Sequence, residues 1–424
     1  MDFAPSPRAA GLTARVRAFV ADEIAPREPA YDREITRRRH TGEDSWVPLP
    51  LVAELQAKAR ARGLWNLFLP AGHGDGYAAR FGTDGGTGLT NLDYAPVAEQ
   101  TGRSFLAPLV LNCNAPDTGN MEVLLRYGTT AQQERWLEPL LDGRIRSAFL
   151  MTEPEVASSD ATTMRTIGRI EGEEVVLSGR KWWSTGVGHP GCAIFIVMAL
   201  TNPEAPRHAQ HSMVLVPRDA AGVRIERLLP ALGQYDEPLG HGEVSLTDVR
   251  VPLANVIAGP GRAFEIAQGR LGPGRVHHCM RLIGLAERCL ELACRRGTDR
   301  VAFGRPLVDL GGNRERIAEA RIAVNQARLL VHHAAWKLDT EGPAGSLSEV
   351  SQIKVAVPAM AQRVVDMALQ LHGGGGLSDD FPLAAALASA RSLRLADGPD
   401  EVHRELIARL ELKKYRDPAS LRHP

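Results

Sequence analysis

The sequence predicts an α+β protein in three successive parts. These are an N-terminal helical domain over residues 1–146, a central antiparallel β domain, barrel-like, over 147–257, and a C-terminal four-helix bundle over 258–424. Three observations predict it. Apolar residues recur at helical spacing through the first third. From Arg146 to about Pro252, short β-branched or alternating runs follow one another with no long helical stretch between them. After Pro260, long helical patterns return and continue nearly to the end.

In the first part, LTARVRAFVADEIAP places Leu12, Val16, Phe19, Val20 and Ile24 on one helical face. LPLVAELQAKARARGL repeats the pattern and stops at Gly63. The glycine-rich stretch from Gly72 to Thr90 predicts a long loop. Helices return with LDYAPVAEQTG, with the apolar segment around Leu106–Leu111, and with GNMEVLLRYG. Another helix is expected from Thr130, with Gln133 completing a capping box. In the second part, SAFLMTE, RTIGRIEGEEVVLSGRKWWST, CAIFIVMAL, HSMVLVP, VRIERLL and GEVSLTDVRVP predict strands, with EGEE as a hairpin connection. In the third, helices are expected over RVHHCMRLIGLAERCLELACRRG, NRERIAEARIAVNQARLLVHHAAWKLDTEG, LSEVSQIKVAVPAMAQRVVDMALQLHG and DEVHRELIARLELKKY, with a loop over 340–348.

Composition removes several function classes. Fifty basic and fifty acidic side chains give no net charge. That argues against a nucleic-acid binder. The aromatic share of 5% leaves little to stack on single strands. Cys113, Cys192, Cys279, Cys289 and Cys294 are odd in number and lack CxxC spacing, so neither a disulfide framework nor a zinc site is expected. No signal peptide and no run of apolar residues long enough to span a membrane is seen, and a cytoplasmic protein without membrane contact is expected.

Individual motifs read more than one way. GVGHPG (186–191) fits GxGxxG, but a strand rather than a helix follows, so a strand-connecting loop is expected. HGGGG (372–376) is either a helix C-terminus or a backbone that lets a phosphate approach; without a GxSxG elbow it is not a lipase loop. His277–His278 and His332–His333 are neighbours about 100° apart on helices. Each pair is expected to give one packed and one interfacial ring, with no metal. Strand alternation puts Trp182 and Trp183 on opposite faces. Asp397, before Gly398-Pro399, reads by itself as a turn or cap residue.

Taken in order, five segments resemble the acyl-CoA dehydrogenase family. They are MTEPEVASSD (151–160), GRKWWSTG (179–186), the helix ending in RVAFGRPL (300–307), QLHGGGG (370–376) and ADGPDEVHR (396–404). The resemblance spans nearly the whole chain. It implies FAD as cofactor. Met151 and Thr152 match positions along the flavin ring, and Ser159 matches the family's serine, with Ser158 a competitor because one residue is inserted before it. Trp183 and Thr185 match the residues that flank the ring. Arg300 and Phe303 match a pair reaching the pyrophosphate and adenine of a neighbouring subunit's FAD. Gln370, Gly373 and Gly374 match a second contact to the same cofactor. A dimer or tetramer is therefore expected.

The resemblance also implies the chemistry. An acyl-CoA thioester loses its α-proton to a carboxylate and its β-hydrogen to the flavin as hydride, and an electron-transfer flavoprotein takes the electrons. The family's glutamate is Asp397 here, and the threonine after the next glycine is Pro399. This variant most resembles the branch containing family members ten and eleven. The alternative base position on the earlier helix is Gly274, so no carboxylate stands there. Arg275, Gly398 and Arg404 are candidate substrate contacts. A flavin oxidase on the same scaffold, acting on acyl-CoA or nitroalkanes, is the alternative, and a catalytically silent flavin-binding scaffold is a third reading.

Overall fold

The computed structural model describes residues 3–69 and 88–416. Most of the expected glycine-rich loop, residues 72–87, lies outside the described residues. The chain forms two compact units, each assembled from separated stretches. One comprises Ala30–Gly88 and Pro108–Gly274; the other comprises Met1–Pro29, Leu89–Ala107 and Arg275–Pro424.

The first unit carries the strands β1 (Arg146–Leu150), β2 (Ile167–Glu171), β3 (Glu174–Thr185), β4 (Cys192–Leu200), β5 (His211–Pro217), β6 (Val223–Leu228) and β7 (His241–Pro252). Each expected strand segment is present. The sheet order is β1-β4-β2-β3-β7-β6, with β5 also on β4. The expected antiparallel pairing holds for β2–β3, β3–β7, β6–β7 and β4–β5. Both β1 and β2 run parallel to β4, so the sheet is mixed. β4 is buried on both faces, which is why it reads as an unbroken apolar run. Leu150, Val175, Leu177, Phe195, Val197, Val214, Val216 and Val249 form the centre of its core. Gly172, at φ +61°, turns the EGEE hairpin as expected.

The helices of this unit hold two surprises. The helix Glu28–Thr41, which belongs to this unit from Ala30 onward, is charged at half of its positions. Its apolar signal is only Tyr31 and Ile35, one turn apart and buried. The capping box sits one residue earlier than expected. Thr129 accepts from the Gln132 N–H, and the Gln132 side chain accepts from the Thr129 N–H. Gln133 instead donates to the Leu124 and Leu125 carbonyls. Both threonines precede a glutamine by three residues, so spacing alone could not separate the two registers.

The second unit is helical. Here α1 (Pro7–Phe19) packs against α2 (Asn91–Thr101), and Leu12, Val16, Phe19, Val20 and Ile24 are all buried as the spacing predicted. The long α3 (Ala263–Asp299) starts well before the expected RVHHCM segment, and its residues from Arg275 onward belong to this unit. A Cβ on Gly102 would collide with the Arg281 carbonyl, and one on Gly284 with the Glu99 carbonyl. These two glycines let the α2 and α3 backbones touch. They are followed by α4 (Asn313–Gly345), α5 (Leu347–His372), α6 (Leu383–Ser392) and α7 (Asp400–Arg416). The loop expected over 340–348 is instead a kink at Gly342 (φ +72°) and the single residue Ser346 between helices. One glycine in the left-handed region turns the chain in a single step. Helix α6 was not expected; its alanine-rich sequence carries little periodic contrast. Among the described residues, no helix is long and apolar enough to cross a membrane.

Candidate functional site

In the strand-bearing unit, the segments 151–160 and 179–186 are tied together. The Thr152 hydroxyl donates to the Trp182 carbonyl at 2.5 Å, and the Trp182 N–H donates to the Thr152 carbonyl at 3.0 Å. Beneath them Lys181, fully buried, donates to the Met151 carbonyl and to Glu153 Oε1, each at 2.8 Å. Glu153 also accepts from the N–H groups of Arg165 (2.7 Å) and Thr166 (2.9 Å). Burial pushes the Lys181 ammonium down to about 8, against the pull of Glu153. Burial by itself would raise the Glu153 carboxyl, but the Lys181 charge and these hydrogen bonds outweigh it and hold it low.

The tryptophan pair departs from simple alternation. The β3–β7 register shifts between Lys181 and Ser184, and Trp183 sits at φ +51° with 43% of its surface exposed. The two rings meet edge to face, with centroids 6.4 Å apart, instead of lying on opposite faces. A bulge of this kind re-aims a side chain. At the end of β3, Thr185 Oγ1 lies 2.9 Å from His241 Nδ1, and the His241 ring is 5.8 Å from Trp183. Burial pushes His241 down to about 4. Ser158 turns inward, accepting from the Glu153 N–H at 2.8 Å, whereas Ser159 is exposed.

The helical unit presents its candidates outward. After α3, β8 (Val301–Ala302) and β9 (Arg305–Pro306) form a hairpin whose two turn residues are both left-handed, Phe303 at φ +51° and Gly304 at φ +78°. A non-glycine residue there is uncommon. It displays the Phe303 ring with 95% of its surface exposed. Arg300 is exposed, with no carboxylate partner among the described residues. At the end of α5, Gln370 is exposed, and Gly373 and Gly374 have open space where a Cβ would stand. This joins the two readings of HGGGG: a helix C-terminus with an accessible backbone.

Asp397 lies between α6 and α7, at φ +57°, followed by Gly398 at φ +102°. Its carbonyl accepts from Arg275 Nε at 3.0 Å and faces His403 Nε2 at 3.3 Å. Burial, reinforced by the Arg275 and Lys354 charges, pushes His403 down to about 4, so its ring is neutral and Nε2–H is the donor. Burial also lowers Arg275. The Asp397 carboxylate is one-fifth exposed, with Oδ2 3.5 Å from His278 Nε2. A side chain on Gly398 would put its Cβ 3.0 Å from His403 Nε2. Asp400 is held by Arg394 through two hydrogen bonds, at 2.9 and 2.7 Å. Arg404, half exposed, points along α7 toward Asp400 (3.7 Å) and Glu401 (3.9 Å).

Sequence reasoning had not singled out Glu153, Lys181, His241, His278 or His403 for these roles. A charged residue flanked by strand-like apolar runs, as Lys181 is, was the one available signal. His277 is the packed member of its pair, 4.9 Å from the Tyr94 ring, but His278 faces Asp397.

Family models match in three consecutive blocks. They are the N-terminal domain of acyl-CoA dehydrogenase over 7–144, the middle domain over 148–249 and the C-terminal domain over 261–412. The chain belongs to the acyl-CoA dehydrogenase family, a family of flavoprotein oxidoreductases. It is 48% identical over 421 residues to mouse acyl-CoA dehydrogenase family member 10, covering 98% of this chain and 38% of that protein. To chicken family member 11 it is 49% identical over 94% of this chain and 50% of that protein. The chain thus spans half or less of these two relatives. FadE2 of Mycobacterium tuberculosis, a candidate acyl-CoA dehydrogenase, is 48% identical, with 98% of both chains covered. A solved structure of a candidate acyl-CoA dehydrogenase from Mycobacterium abscessus is 63% identical, with a TM-score of 0.92 over 97% of this chain and all of that one.

Proposed function

We propose that this chain is an FAD-dependent acyl-CoA dehydrogenase that converts an acyl-CoA thioester to its trans-2-enoyl form, with Asp397 as the base. The observation that carries this reading is the held geometry of Asp397: a partly exposed carboxylate on a left-handed residue, its carbonyl gripped by Arg275 and faced by His403. Asp397 takes the α-proton, and the fixed loop holds its short carboxylate in reach, since a base needs about 2.6–3.2 Å to the group it deprotonates. FAD, when bound, supplies the acceptor for the β-hydride.

The residues present fit that cofactor. Arg300, without a carboxylate partner among the described residues, offers a planar fork suited to a pyrophosphate. Phe303 offers an uncovered ring, and Gly374 offers exposed backbone beside Gly373, whose own N–H already donates to the Gln370 and Leu369 carbonyls. Gln370 adds a second polar contact. Met151, Thr152, Ser159, Trp183 and Thr185 would hold the ring, with Ser158 already engaged within its own turn. Groups so exposed, on a chain whose family shares one flavin between subunits, support at least a homodimer. Electrons would leave through an electron-transfer flavoprotein.

The test is anaerobic titration of the purified protein with a panel of acyl-CoA thioesters. The reading expects bleaching of about one FAD per subunit by a subset of them. A colourless protein, or a yellow one bleached by none, would overturn it. Fast reoxidation by oxygen would assign the oxidase reaction instead.

A further inference from the structure

We propose that His278 is a positioning residue for the Asp397 carboxylate, held in one tautomer by Arg281. This rests on the reading of Asp397 as the base.

The argument starts from hydrogen-bond inventory. His278 Nδ1 lies 3.2 Å from Arg281 Nη2, one turn along α3. An arginine guanidinium has donors and no acceptor. Nδ1 must therefore accept, and the ring proton must sit on Nε2. That nitrogen is the one facing Asp397 Oδ2, at 3.5 Å, and both side chains are only one-fifth exposed. The relay runs in a single direction, from Arg281 to His278 to the carboxylate.

Such a donor does two things. It favours the ionised carboxylate, the form a base requires. It also fixes the direction in which the carboxylate points. His278 itself cannot accept that proton at Nε2, which already carries one, so it positions and does not relay. The loop backbone is secured separately, by Arg275 and His403 on the Asp397 carbonyl. Side chain and main chain of the same residue thus have different anchors. Other ionisable or charged groups around Asp397 are Arg275, Cys279 and Arg281 on α3, Lys354 on α5, and Asp400 and His403 on α7, with Arg394 paired to Asp400.

The experiment measures anaerobic flavin bleaching by an acyl-CoA that reduces the wild type, across pH, in full-length holoenzyme. His278→Ala should slow bleaching by about 10–100-fold, the scale of a displaced reacting group, while acyl-CoA affinity stays within about twofold. The acid limb of its pH profile should move up by roughly one unit, because the ionised carboxylate has lost a donor. His278→Gln, whose amide nitrogen can stand near Nε2, should recover most of the rate and the acid limb. A purely structural role would lower FAD content or thermal stability and leave the limb in place. Unchanged rate and limb in His278→Ala would overturn the proposal. Retained fast bleaching in Asp397→Asn would instead overturn the base reading, so the two failures are distinguishable. Should the alanine variant not fold, the histidine 15N spectrum of the wild type decides. The proposal expects the neutral Nε2–H tautomer for His278 at neutral pH; the Nδ1–H tautomer or an imidazolium would overturn it.

Discussion

The two units present their candidate residues in opposite ways. In the strand-bearing unit the segments around Thr152 and Trp182 bond to each other, and Lys181 and Glu153 lock them from beneath. That surface is finished by the chain itself. In the helical unit Phe303, Arg300, Gln370, Gly373 and Gly374 are exposed, and among the described residues Arg300 has no carboxylate partner. A left-handed phenylalanine with an uncovered ring carries backbone strain that folding alone does not reward. The contrast separates a platform whose segments bond to one another from a set of groups that the proposed function would have gain their partners on binding.

The largest effect should come from breaking the platform. Lys181→Met leaves the Glu153 carboxylate buried without its cation, and removing one partner of a buried pair costs about 3–5 kcal/mol. Urea unfolding should show that loss, and Glu153→Gln added to Lys181→Met should recover part of it. A midpoint unchanged by Lys181→Met would mean that the pair does not organise these segments.

The outward set should behave differently. Arg300→Ala should fold normally yet lose FAD and oligomer together, with a cost of about 2–5 kcal/mol if the charged contact is buried on assembly. Flavin content and light scattering read this out. A monomer that keeps its full flavin would contradict the idea that these groups wait for a partner.

Acid should weaken both units through buried neutral histidines. Burial is the main cause that pushes His241 down to about 4 and His277 down to about 3, from an ordinary value near 6.5. Below 6.5 the unfolded chain binds protons that the folded chain refuses. Stability is therefore full above about 6.5 and falls as pH drops toward 4 for His241 and 3 for His277. The slope is at most about 1.4 kcal/mol per pH unit for each ring. Urea titrations at pH 7 and pH 5 check the sign, and His277→Phe should flatten the slope.

The smallest effect on folding should be Phe303→Ala. Its ring is 95% exposed, so the melting temperature should hardly move. FAD affinity should still fall by about 1–3 kcal/mol, the usual worth of a stacked base. An unchanged FAD dissociation constant would remove Phe303 from the site.

Legibility in the sequence follows the range of the interaction. Leu12, Val16, Phe19, Val20 and Ile24 announced their shared face because helix periodicity is local. Strand runs bounded by turn residues were equally legible. What failed depended on partners distant in the chain or on a signal too thin to see. The Trp182–Trp183 bulge is created by the register against β7. The kink at Gly342 and the helix Leu383–Ser392 lie in stretches where glycine or alanine flattens the pattern. Asp397 and Arg275 could be named from their segments, but the approach of His278 and His403 to Asp397 needs α3 and α7 already in place. The sheet interior likewise had to exist before Lys181 and Glu153 could be read as a pair.

The most direct test of the account is stopped-flow bleaching of Asp397→Asn under anaerobic conditions, beside the wild type, with the same acyl-CoA. The substitution keeps the shape of the side chain and removes its basicity. The account predicts a yellow variant that still binds acyl-CoA but reduces its flavin about 10²-fold or more slowly. Bleaching at the wild-type rate would contradict it and move the base elsewhere, with Glu401 and Asp400 on α7 the next residues to examine.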